Sequence, residues 1–287
     1  MTRLAFSALF GALLAAPGLA QACATDAQIA DYLDAWSEKR PAAALVPDGT
    51  MEDALCTQGK LVGSLSRVMG RPVGFKAGLT SEAAQARFGA EEPLMGMLFE
   101  QMLLPDGAEV PADFGVRPLF EADLLLIVDN PGINDAKTVE EALLHISEIR
   151  PFIELPDIMM AEGEPVTAVT LTANNVATRL GVVGEAINVR QMRASGFDLV
   201  EGLREMTVRV EAADGEVLAS SKGEVVLGHP VQSLLWLLEQ GVTLNEGALV
   251  SVGSIGPLLP PAKAKGAVRV VYEGIPGTPT VSLTFTD

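Results

Sequence analysis

The sequence predicts an α+β chain in which an N-terminal helical layer, residues 23–70, precedes one mixed-sheet domain, residues 71–287. Three observations predict it. Apolar residues recur at helical spacing up to about Gly70. Strand patterns dominate after the turn Pro105-Asp106-Gly107. No internal repeat or low-complexity linker divides the strand-rich remainder of the chain.

Taken in order, Asp26 to about Arg40 is a helix with Ile29, Tyr32, Leu33 and Trp36 on one face. Asp48-Gly49 is a turn, and Thr50 caps a second helix that runs to Met69 and stops at Gly70. Pro72 to Lys76 is a short strand, Ser81 to Phe88 a short helix ended by Gly89, and Gly96 to Leu104 an apolar, Met-rich stretch. Phe120 to Val128 reads as a strand buried on both faces, except that Glu121 and Asp123 start one of them. Thr138 and Glu141 form a capping box for a helix whose buried stripe is Val139, Ala142, Leu143, Ile146 and Ile149. Pro151 ends that helix, and Phe152 to Leu155 is a short strand that brings Glu154 near Glu121 and Asp123. Val166 to Leu171 reads as a strand or a loop, and Asn174-Asn175 opens a short helix. Met206 to Val226 is a hairpin turning at Asp214-Gly215. Pro230 to Gln240 is a helix capped by Gly241, and residues 248–254, 267–273 and 279–285 are strands.

The chain has 287 residues, 48% apolar and only 5% aromatic, so its core is aliphatic. A formal net charge of −17 without any basic run excludes an electrostatic footprint for nucleic acid. Residues 1–22 read as a secretory signal peptide: Arg3, then the apolar run Leu4 to Ala16, then Pro17-Gly18 and a small-x-small cleavage site. That run is shorter than the roughly 20 residues of a spanning helix, so the mature protein is expected in the periplasm or secreted, free of the membrane. The alternatives are an uncleaved anchor and a cytoplasmic protein. Cys23 and Cys56, the only cysteines, suit one disulfide in an oxidising compartment; free buried thiols or lipidation at Cys23 are the alternatives.

Glu121, Asp123 and Glu154 are three carboxylates with no Cys or His companion, a set suited to Mg²⁺ or another hard cation. The competing reading pairs them with Arg117, Arg150 or Arg179. Lys76, flanked by glycines in Gly74-Phe75-Lys76-Ala77-Gly78, is either a desolvated acid–base group or a solvent-facing strand end. His229 is a helix-start hydrogen bonder or a pocket wall, and His145 a solvated residue on a polar helix face. Asn174 and Asn175 either cap a helix or hydrogen-bond a ligand. Gly253-Ser254-Ile255-Gly256 is a loop or a close backbone approach to a ligand.

The ordered set Gly74 to Ser81, Phe120-Glu121-Ala122-Asp123, Ile153-Glu154, Ala173-Asn174-Asn175, Val226 to Pro230 and Gly253-Ser254 resembles the 2-keto-4-pentenoate hydratase and 4-oxalocrotonate decarboxylase family of the fumarylacetoacetate hydrolase superfamily. The resemblance runs from about residue 25 to the C-terminus. It implies a mixed β-roll with a helical N-terminal part, and Mg²⁺ or Mn²⁺ held by Glu121, Asp123 and Glu154. It also implies a small 2-oxo or 2-hydroxydienoic acid as substrate, contacted by Lys76, Gly78, Asn174, Asn175 and Ser254. Of these, Lys76, Asn175 and Ser254 are implied to be catalytic. The implied reaction adds water to a 2-hydroxy-2,4-dienoate, a step of aromatic compound catabolism; decarboxylation of a vinylogous 2-oxo acid is the sister activity. Members commonly form homo-oligomers.

Several positions depart from the family pattern. Asp123 stands where Glu is usual, Pro93-Leu94-Met95-Gly96 lacks an expected acid, and Asn174-Asn175 replaces Asp-Asn. Gly253-Ser254-Ile255-Gly256 replaces Gly-Ser-Leu-Thr. An export leader is also unusual for cytoplasmic catabolism. The expectation is a metal-dependent hydratase. A decarboxylase, or an inactive exported protein that binds a small oxo acid, is the alternative.

Overall fold

Thr25 and Thr50 each close a capping box, with Gln28 and Asp53, and so start the first two helices, α1 (Asp26–Ser37) and α2 (Met51–Leu65). These elements belong to a computed structural model that describes residues 23–287; the expected leader lies outside the described residues. Cys23 and Cys56 form a disulfide with Cα atoms 5.6 Å apart, pinning the chain before α1 to α2. Ile29, Tyr32, Ala54, Leu61 and Leu65 bury one face of this layer against Phe99, Met102, Met159 and Ala173.

The chain continues through β1 (Pro72–Gly78), α3 (Glu82–Phe88), β2 (Leu94–Phe99), β3 (Leu103–Pro105), β4 (Ala108–Pro111) and β5 (Glu121–Val128). Next come α4 (Val139–Leu143), β6 (Ile146–Leu155), α5 (Ala168–Ala173), β7 (Leu180–Val183), β8 (Ile187–Asn188), α6 (Val189–Ala194) and α7 (Leu199–Glu205). The hairpin β9 (Thr207–Ala212) and β10 (Val217–Lys222), α8 (Gln232–Glu239), β11 (Leu249–Ser251), β12 (Ala267–Glu273) and β13 (Thr280–Thr286) complete it.

Two mixed sheets carry these strands, which makes the architecture α+β. The larger runs β2-β1-β11-β5-β6-β7-β3 with β8 beside β6, and the smaller runs β10-β9-β12-β13-β4. The β1–β11, β3–β7 and β4–β13 pairs are parallel and the rest antiparallel. The hydrophobic core they share includes Leu124, Leu126, Ile149, Ile153, Val208 and Val270, with Tyr272 among these aliphatic side chains. Among the described residues no helix is long and apolar enough to cross a membrane.

Four local expectations are corrected. The helix capped by Thr138 stops at Leu143, so Ile146 and Ile149 belong to β6 and Pro151 lies within that strand. Residues spaced three apart fit a helical stripe, but in a strand buried on both faces that spacing carries no information. Residues 168–173 are a helix started by Thr167, and Asn174 ends it instead of opening one. His145 lies past α4 and pairs with Asn130 at 2.9 Å, so it is not a free residue on a helix face. The strand expected at 248–254 narrows to Leu249–Ser251, after which the chain loops past β5.

Candidate metal centre

Strand register builds the site. Glu121 and Asp123 are two residues apart on β5, so their side chains share a face. β6 runs antiparallel to β5 with Glu154 directly opposite Glu121. A ligand oxygen from each of the three carboxylates lies within 4.8 Å of the others, and all three residues are buried. Lys76 reaches the cluster from β1 and forms an ion pair with Glu154. The arginines that could have neutralised the acids go elsewhere. Arg179 pairs with Asp157, Arg150 with Glu148, and Arg117 bonds the carbonyl of Ile158.

Lys76 is itself buried, so the solvent-facing reading of that residue does not hold. Burial pushes its ammonium down, but the charges of Glu154 and Glu121 outweigh this and hold it above its ordinary range, hence protonated. Burial, followed by repulsion from Glu154, pushes Asp123 up to about 7, against hydrogen bonds from Ser251 and Leu124. Burial and the same repulsion push Glu121 well up, although Lys76 and the Ser254 hydroxyl oppose it. Three carboxylates thus meet one ammonium, and Glu154 Oε2 is buried with no hydrogen-bond partner. An unpartnered carboxylate oxygen is costly unless something binds it. An all-oxygen donor set with surplus negative charge fits a hard divalent cation, and Glu121, Asp123 and Glu154 are the residues that would hold one.

The remaining candidates fall into two groups. The Ser254 hydroxyl donates to the Gly256 carbonyl at 2.7 Å and sits close enough to Glu121 to pull that carboxyl's pKa down. It therefore borders the cluster. Asn174 and Asn175 instead face inward. The Asn175 amide accepts from Met97 N–H at 2.8 Å and donates to Met97 C=O at 3.0 Å, while Asn174 Oδ1 accepts from Ala177 N–H at 3.2 Å. Together they shape a left-handed turn in which Asn175, Val176 and Ala177 have φ of 61°, 54° and 56°. That turn directs the Val176 carbonyl at Lys76 Nζ, 3.3 Å away. Gly78 makes room for it, because a Cβ there would lie 2.5 Å from Val176 Cγ1. His229 is structural: Nδ1 accepts from Val231 N–H and Nε2 donates to Val200 C=O.

Two further participants gave no usable sequence signal. Ser251 donates its hydroxyl to Asp123 Oδ2. It is the one polar residue in Leu249-Val250-Ser251-Val252, a faint mark. Tyr272, on β12 of the other sheet, inserts its hydroxyl between β5 and β6, accepting from Phe152 N–H and donating to Asp123 C=O.

No protein-family model matches the sequence. The chain is 31% identical over 193 residues to 2-keto-4-pentenoate hydratase 1 of Dechloromonas aromatica, covering 66% of this chain and 70% of the relative. It is 28% identical over 234 residues to 4-oxalocrotonate decarboxylase of a Pseudomonas species (strain CF600), covering 80% and 84%. The structure of 4-oxalocrotonate decarboxylase from Pseudomonas putida G7, complexed with magnesium and adipate, superposes with a TM-score of 0.75 at 24% identity, covering 91% of this chain and 96% of that one. The last likeness is one of fold.

Proposed function

The chain belongs to the 2-keto-4-pentenoate hydratase and 4-oxalocrotonate decarboxylase family, within the fumarylacetoacetate hydrolase superfamily, and from that premise we propose that it is a divalent-metal-dependent carbon–oxygen lyase. It adds water to a short 2-hydroxy-2,4-dienoate and yields a 4-hydroxy-2-oxo acid. The observation that carries this reading is the unpartnered Glu154 Oε2 inside a buried three-carboxylate cluster. Mg²⁺ or Mn²⁺ bound there would supply Lewis-acid stabilisation of the negative charge that develops on the substrate's oxygens.

The chain's own residues handle the protons. The reaction removes a proton from the 2-hydroxyl, places one on C5 and another on C3, and puts hydroxide from water on C4. Lys76 is held protonated beside the cluster, and with the Val176 carbonyl fixing its Nζ it is the acid and charge partner for the substrate. Ser254, bordering Glu121, orients the bound acid. Asn174 and Asn175 serve the site by building the turn that aims Val176. Burial of Lys76 and all three carboxylates keeps bulk water away from them.

Decarboxylation of a vinylogous 2-oxo acid is the second reading, favoured because the similarity to a named decarboxylase spans 84% of that relative. One assay separates them. Metal-loaded protein consuming the diene absorbance of 2-hydroxypenta-2,4-dienoate supports the hydratase, and CO₂ release from 4-oxalocrotonate without that activity supports the decarboxylase. Binding of either compound without turnover overturns both and leaves an oxo-acid binding protein.

The protein is also proposed to be exported and to assemble as a homo-oligomer. The leader-like residues 1–22 and the Cys23–Cys56 disulfide favour an oxidising compartment. Mass spectrometry of the mature N-terminus tests export, since an intact Met1 removes it, and light scattering tests assembly.

A further inference from the structure

Asp123 differs from its two partners in what holds its oxygens. Oδ1 accepts from Gly253 N–H at 3.0 Å and from Leu124 N–H, and Oδ2 accepts the Ser251 hydroxyl. A carboxylate offers about four acceptor positions, so three are occupied by the protein and one, on Oδ2, remains. Glu154 presents the reverse case: Oε1 meets Lys76 and Oε2 meets nothing. The donors on Asp123 are fixed. Ser251 is fully buried and lies in register with Leu125 of β5. Gly253 has φ of 97°, and a Cβ there would lie 2.6 Å from the Ala77 carbonyl, so its N–H is wedged in place. An aspartate is also one methylene shorter than a glutamate, which moves its carboxylate towards its own strand and towards Ser251.

We propose that Ser251 is a positioning residue that holds Asp123 away from the ion, so that Glu121 and Glu154 bind the metal directly and Asp123 reaches it only through a coordinated water. This rests on the metal reading above. It assigns the two glutamates to the ion and gives Asp123 the task of orienting a metal-bound water by accepting its O–H. The water would sit at the one acceptor position Ser251 leaves open.

The test uses full-length protein loaded with Mn²⁺. The readouts are the Mn²⁺ dissociation constant and the number of coordinated waters, counted from ¹⁷O-water broadening of the Mn²⁺ resonance. Asp123→Asn is expected to weaken Mn²⁺ by about tenfold, as removal of an outer partner does, with the water count unchanged. Glu154→Gln is expected to weaken it far more. Ser251→Ala is expected to lose one coordinated water as the released carboxylate takes its place, and Ser251→Thr, which keeps the hydroxyl, to retain the wild-type count. The proposal is overturned if Asp123→Asn gains a coordinated water and weakens Mn²⁺ as much as Glu154→Gln. Should Ser251→Ala not fold, the Asp123→Asn water count still decides. Failure of the wild-type protein to bind Mn²⁺ at all would instead overturn the metal reading and this proposal with it.

Discussion

Lys76 and Glu154 form a buried ion pair although their strands, β1 and β6, are separated in the sheet by β11 and β5. The pair is asymmetric, since Lys76 also binds the Val176 carbonyl whereas Glu154 keeps one oxygen unpartnered. Lys76 is therefore the counter-charge of the carboxylate cluster, and its proposed part in proton transfer is a separate role to be tested beside that one.

Lys76→Met keeps an unbranched side chain, one atom shorter, and removes its charge. It leaves Glu154 buried against two other acids with no cation, a change that typically costs about 3–5 kcal/mol. Urea unfolding of metal-free protein should show a loss of this size, and Mg²⁺ should restore much of it. Turnover should fall by about 10²–10⁴-fold, the usual contribution of a positioned acid. Loss of turnover without loss of apo stability would separate the two roles and contradict the ion pair as a structural element.

The raised carboxyls set a pH dependence for the metal-free protein. Asp123 has a folded pKa of about 7 against an ordinary 3.8, and Glu121 is raised well above 4.5. A carboxyl raised on folding binds protons better in the folded state, so its stabilisation is complete below the ordinary pKa and is lost as pH rises through the folded one. Metal-free protein should lose melting temperature from about pH 4 to about pH 7 through these groups. Mg²⁺ competes with those protons, so the melting shift it produces should grow over the same window. A Mg²⁺ shift equal at pH 5 and pH 8 would contradict the assignment.

Tyr272 predicts a stability effect independent of metal. Its hydroxyl bridges Phe152 N–H and Asp123 C=O between the two ligand-bearing strands. Tyr272→Phe leaves both buried backbone groups short of a partner, at about 1–3 kcal/mol for an unsatisfied group. Chemical denaturation should register this loss, and Mn²⁺ affinity should weaken as β5 and β6 shift against each other. A variant as stable as wild type would mean that the strands close the gap themselves.

Much of this centre is legible along the chain because it follows from alternation within strands. Glu121 and Asp123 stand out as two acids in an otherwise apolar run, and Glu154 as one acid in Phe152-Ile153-Glu154-Leu155. The route to Glu154 is less legible, since Ile146 and Ile149 suit a helix or a buried strand equally well, and they lie in β6. The left-handed turn at Asn175, Val176 and Ala177 contains no glycine, so no local residue announces it. Ser251 and Tyr272 come to Asp123 from 128 and 149 residues away, and only the register of β11 and the packing of β12 deliver them.

Gly96 supplies the last prediction. It lies opposite Lys76 in the β1–β2 ladder, where a Cβ would lie 2.8 Å from Lys76 Cγ, 3.0 Å from the Asn175 carbonyl and 3.1 Å from Thr178 Oγ1. The added methyl is boxed in by backbone on one side, so Lys76 is the side that yields. Gly96→Ala should displace Nζ from the Val176 carbonyl without touching Glu121, Asp123 or Glu154. Since a misplacement of about 1 Å can cost about 10²-fold, kcat should fall on that order while Mn²⁺ affinity and the number of bound ions stay as in wild type. A parallel loss of Mn²⁺ would show that Lys76 and the carboxylates move as one unit, and unchanged kcat would remove Lys76 from the proton transfer.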